Sequence, residues 1–122
     1  MGYESKVYVT QKSRNLSIPF YDVVATVDLC KMGWSIYNGK KFRQLFTLPQ
    51  DGHLFMDDGN TVLKEDAYGD PVEGAPIDEV IDWLEKFTAD TDYPRANILL
   101  STLYAVRQGM KWGDLLCFHY GY

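Results

Sequence analysis

The segment YDVVATVDLCK, Tyr21–Lys31, alternates with a period of two and is apolar on both parities. Val23, Ala25, Val27 and Leu29 fall on one face, while Val24 and Cys30 join Thr26 and Asp28 on the other. A strand apolar on both sides belongs inside a sheet. The rest of the chain must therefore supply strands beside it and cover above and below it.

Two further segments share that period. SKVYVTQ predicts a strand near Lys6–Gln11, with Val7 and Val9 opposite Tyr8. The closing DLLCFHYGY predicts another, with Leu116, Phe118 and Tyr120 facing one way and Leu115, Cys117 and His119 the other. Between them, HLFMDDGNTVLKED sets Asp58-Gly59 between two short strand-like runs, His53–Asp57 and Thr61–Glu65, the pattern of a tight hairpin. The same letters exclude an EF-hand. Counted from Asp58, Val62 and Leu63 stand where a calcium loop needs an oxygen ligand and then a glycine.

The connections read less sharply. SRNLSIPF is a loop closed by Pro19. MGWSIYNGKKFRQLFTLPQDG carries an Asn38-Gly39 turn signal and a stop over Pro49–Gly52, leaving a short strand or helix around Lys41–Thr47. AYGDPVEGA reads as a turn-rich connection.

Helical spacing takes over at PIDEVIDWLEKF, where Ile77, Val80, Ile81, Leu84 and Phe87 share one face and Pro76 suits the first turn. Asp78, Asp82 and Glu85 fall opposite, Glu79 lies at their margin, and Trp83 sits on the flank between water and core. A second helix is expected from Pro94, capped by Asp92, to Gln108, with Gly109 as its stop and Ala96, Leu99, Leu100, Leu103 and Val106 as its core side. The fold these pieces make is a single α+β domain over residues 1–122, an antiparallel sheet of about four to five strands packed against two α-helices.

Nothing in the sequence marks export or a membrane span: MGYESKVYVT is polar from the start, and NILLSTLYAV is too short and interrupted to cross a bilayer. The expected location is cytoplasmic, with Cys30 and Cys117 reduced and buried. Charge is distributed unevenly. Residues 1–50 hold three acids and seven bases, residues 51–92 thirteen acids and two bases, and residues 93–122 one acid and three bases. A net charge of −5 argues against direct nucleic-acid binding, whereas a dense acidic block points to a basic partner.

MGYESKVYV, DLCK at Asp28–Lys31, the DDGNT…EDAYGDP segment and the closing HYGY together resemble small uncharacterised proteins encoded by phages and prophages of Gram-positive bacteria. Small accessory phage proteins are often antagonists of host defence, CRISPR effector complexes included, and the resemblance implies that role in the bacterial cytosol. It assigns no catalytic residue.

Three chemistries compete. A zinc site can be drawn from Cys30, His53, Cys117 and His119, but no Cys-x2-Cys pair supports it, and strand cysteines are ordinarily buried packing. Carboxylate catalysis at Asp57/Asp58 or Glu65/Asp66 needs burial to split the two pKa values, and a hairpin tip keeps both ionised. Nucleophile elbows, phosphate loops and dinucleotide fingerprints are missing from the sequence, so no cofactor is expected.

The third is an acidic surface that imitates phosphates and fills a basic nucleic-acid-binding groove. Its expected residues are Asp57, Asp58, Glu65, Asp66, Asp70, Glu73, Asp78, Glu79, Asp82 and Glu85, with Trp83, Tyr68, Phe55 and Tyr93 as aromatic anchors. Solvation alone accounts for the same acids. The function expected is a non-enzymatic inhibitor of a bacterial defence nuclease. The alternatives are a phage structural or regulatory interaction protein and a small metal-dependent enzyme. Monomer and homodimer stay open, the latter if the Leu115–Cys117–His119 face meets a second copy.

Overall fold

The computed structural model describes residues 5–12, 20–28, 36–49, 53–55, 62–65, 69–90, 92–110 and 114–121. In chain order these form β1 (Ser5–Lys12), β2 (Phe20–Asp28), α1 (Ile36–Arg43), β3 (His53–Phe55), β4 (Val62–Leu63), β5 (Glu73–Pro76), α2 (Ile77–Asp90), α3 (Pro94–Gly109) and β6 (Asp114–Gly121). The α+β class expected from the sequence is the class observed. One sheet runs in the order β4-β3-β2-β1-β6-β5.

The sheet departs from the expected one in three places, each for a local reason. β3 pairs parallel to β2, with Phe20 opposite His53, because α1 stands between them in the chain and returns it in the same direction. α1 itself contains Asn38-Gly39, expected as a turn: the anchoring of Phe42, which is fully buried, outweighs the local signal. β5 occupies part of the expected connection AYGDPVEGA, and its Glu73, Gly74, Ala75 and Pro76 pair with His119, Phe118, Cys117 and Leu116.

β2 is interior in the sheet order, as its two-sided sequence requires, but its faces are not the ones simple alternation gives. Val9 pairs with Ala25 and Thr10 with Val23, so Val24 is the extra residue of a bulge. Ala25 and Val27 consequently pack with Val7, Val9 and Cys117, while Val23 turns to the other face with Tyr8, Tyr21 and Phe118. Val24 is left 39% exposed.

Among the described residues, helices cover one face of the sheet. Val7, Val9, Ala75 and Cys117 form a cluster with Phe42 and Phe46 from α1 and its exit, Val80, Ile81 and Leu84 of α2, and Ala96, Leu99 and Leu103 of α3. On the opposite face Tyr8, Tyr21, Val72 and Phe118 are buried as a second cluster. Backbone pairing accounts for part of that closure: the Val72 N–H donates to the Lys64 C=O, and Glu65 bridges Pro71. These contacts tie the residues after β4 to the lead-in of β5, the two end strands of the sheet order. The outer edge of β5 is completed by Leu48, which exchanges both backbone hydrogen bonds with Gly74 at 2.9 Å.

α3 begins at Pro94 as expected, but Asp92 does not cap it. The residue at the cap is Tyr93, with no side-chain cap, while Asp92 Oδ1 accepts from Asn97 Nδ2 at 3.3 Å. No helix among the described residues is long and apolar enough to cross a membrane.

Candidate functional site

α2 is the platform for the predicted surface. Ile77, Val80, Ile81 and Leu84 are buried against the sheet and α3, which fixes the rotation of the helix and turns Asp78, Glu79, Asp82 and Glu85 into solvent. Asp78 and Glu79 lie in the first turn, where the helix dipole favours anions. Asp90 sits at the last residue of the helix with no basic side chain in that turn.

The outward acids are not bare. Arg107 of α3 donates from Nη1 to Asp78 Oδ1 at 2.8 Å, and Lys86 reaches Asp82 Oδ2 at 3.1 Å. Glu85, acting chiefly as a hydrogen-bond acceptor toward Tyr104, holds the phenol above its ordinary pKa, with some desolvation. The Arg107 guanidinium lies 5.5 Å from the Tyr104 ring centroid, linking both contacts into one strip between α2 and α3. Each exposed pair contributes about 0–1 kcal/mol and is readily exchanged for another cation.

The other flank of α2 is aromatic. Trp83 meets Phe42 edge-on at 5.4 Å and stacks on Phe87 at 5.1 Å with 15° between planes. Phe87 in turn stacks on Tyr93 at 5.2 Å and 19°. Trp83, Phe87 and Tyr93 are each half-buried, so the row is anchored in the core and partly exposed. At about 100° per residue, Glu79 and Asp90 border Trp83 on the solvent side.

The remaining expected residues fall elsewhere. Asp70 lies 3.5 Å from Arg43, and Glu73 shares with Arg43, Phe46, Pro71, His119 and Gly121 a shallow cleft open to solvent. Glu65 is exposed at the bridge to Pro71. Asp57, Asp58, Asp66 and Tyr68 lie outside the described residues, as do Cys30 and the tip of the hairpin. The hairpin itself is present: Leu54 pairs with Leu63 and Phe55 with Val62.

Cys117 and His119 share a strand face, as expected, but that face is covered by helices, which removes the proposed contact with a second copy there. Burial pushes the Cys117 thiol up to about 12, so it stays protonated at neutral pH. His119, 6% exposed, packs against the Phe46 ring at 5.3 Å, and its Nε2 shares a 3.2 Å hydrogen bond with Ser5 Oγ in which the ring tautomer sets the donor. Strand pairing brings Ser5 and His119 together: Ser5 sits opposite Gly121 and His119 opposite Val7 on adjacent strands.

Sequence reasoning missed Arg43, Tyr104 and Arg107 as neighbours of the acids. No local signal marks them, because Arg107 lies 29 residues from Asp78 and meets it only through the packing of α2 on α3. No protein-family model matches the chain, and neither the curated proteins nor the solved structures give a match.

Proposed function

We propose that this protein is a non-catalytic binding protein that inhibits a bacterial defence nuclease of the CRISPR kind by laying its acidic surface into a basic nucleic-acid-binding groove. The observation that carries this reading is α2: four carboxylates, Asp78, Glu79, Asp82 and Glu85, are exposed on one short helix beside half-buried rings. Neighbouring positions three or four apart on a helix lie about 5–6 Å from one another, close enough for their charges to act together on a row of arginines. The resemblance to phage and prophage proteins supports the choice of a defence complex as partner.

Capture from bacterial lysate at low salt tests the reading, with wild type beside Asp78→Lys/Asp82→Lys/Glu85→Lys. The wild type is expected to retain a basic nucleic-acid-processing protein and release it as salt shortens the reach of the charges to about 8 Å or less. The variant is expected to fold and to retain nothing. Equal capture by both would leave the acids with solvation as their only role.

A further inference from the structure

Resting on that binding role, we propose that the partner touches this protein along the Trp83 flank of α2, and that what docks there is an arginine-bearing segment. The outward acids serve the approach. Contact falls to the flank, where half-buried rings stand beside acids with no ion pair among the described residues, whereas a partner at Asp78 or Asp82 would first have to displace Arg107 or Lys86. Glu79 and Asp90, both exposed, form no ion pair among the described residues, and they bracket the aromatic row.

The chemistry of the row selects arginine, and its length sets a spacing. Tyr93 is the terminal ring of the stack, with one face against Phe87 and partial exposure to solvent. A guanidinium is planar and weakly hydrated, so it stacks on such a ring while its edge donates to a carboxylate, and Asp92 precedes Tyr93 with Asp90 two residues before that. A lysine ammonium is more strongly hydrated and lacks the plane. Finally, Glu79 and Asp90 are separated by eleven residues of helix, about 16 Å at 1.5 Å per residue. Four residues of extended segment cover about 14 Å, and this even spacing keeps two basic side chains on the face toward the helix, their length covering the rest. Lys86, the single lysine of α2, is drawn to Asp82.

Titration calorimetry with the full chain tests this using the blocked peptide Arg-Gly-Ser-Gly-Arg and its lysine and citrulline counterparts. The arginine peptide is expected to bind, the lysine peptide more weakly, and the uncharged citrulline peptide not at all. Glu79→Gln with Asp90→Asn should weaken the arginine peptide by roughly tenfold, the worth of two exposed pairs together. Tyr93→Leu should weaken it with an unchanged circular-dichroism spectrum, and Asp22→Asn with Asp28→Asn, two exposed acids of β2, should leave it unaltered.

Equal binding of the citrulline peptide, absence of binding at millimolar arginine peptide, or equal loss from both carboxylate pairs overturns the proposal. If the peptide fails while a basic protein is still captured in a salt-sensitive way, the dock falls and the binding role stands. If the peptide binds in the expected pattern while no protein is captured, the reverse holds.

Discussion

Arg107 of α3 reaches across to Asp78 of α2, Nη1 to Oδ1 at 2.8 Å, and so places a cation within the acidic face that a basic partner would meet. Both side chains are exposed, so the pair contributes at most about 1 kcal/mol to stability. Arg107→Gln should therefore move the urea midpoint only slightly. It leaves Asp78 unpaired and makes the surface one unit more negative, so captured partner should persist to higher salt than with wild type. Weaker capture by this variant would count against an acidic face as the steering element.

Gly74 stands opposite Phe118 in the β5–β6 ladder, and the Phe118 ring fills the space its side chain would take. A Cβ at Gly74 would lie 2.8 Å from Phe118 Cε1 and 3.1 Å from the Cys117 carbonyl oxygen. The ring is buried between Tyr21, at 4.9 Å, and the rest of its cluster, so it has little room to yield. Gly74→Ala should destabilise by about 1–3 kcal/mol, read as a lower denaturation midpoint. An unchanged midpoint would mean that the strand shifts to make room.

These two cases also mark what the sequence makes legible. β1, β2, β6 and α2 were readable because each carries a period, two or 3.6, over eight or more residues. The bulge at Val24 was not, since VV in the middle of an alternating run looks the same with or without an extra residue. EGAP has the composition of a turn, and its strand character comes from Phe118 and from Leu48 on its two sides. At the site, the exposure of Asp78, Asp82 and Glu85 followed from helical geometry, whereas their partners follow from how two helices pack. Local period reports which way a side chain points and carries nothing about what another element brings to it.

Cys117 offers a pH test of the helix-covered core. Its folded pKa, raised by burial to about 12 from an ordinary 9.0, means that the folded state keeps the proton that the unfolded chain gives up first. The stability it lends is full below pH 9 and declines as pH rises toward 12, by about 1.4 kcal/mol per unit. In a Cys30→Ser background, Cys117→Ala should flatten the fall in stability between pH 9 and pH 10.5. Native protein should also resist iodoacetamide until it is unfolded. Rapid alkylation of the folded form would place the thiol nearer to solvent than this packing allows.

Tyr104 reports on the same strip between α2 and α3 from the other side. Glu85 acts on it chiefly as a hydrogen-bond acceptor, which favours the neutral phenol and raises its pKa above 10.0, while the nearby Arg107 charge acts in the opposite sense. The sign follows directly: the contact is complete below pH 10 and is lost as pH rises through the raised value. Site-resolved NMR titration should therefore show Tyr104 ionising later than a free tyrosine. Glu85→Gln removes the charged acceptor and should bring that midpoint down, whereas Arg107→Gln removes the opposing cation and should push it up. Opposite shifts from two substitutions on different helices would require both side chains to sit at the one phenol. If Glu85→Gln leaves the midpoint where it is, Glu85 does not hold Tyr104, and the carboxylate is free for a partner after all.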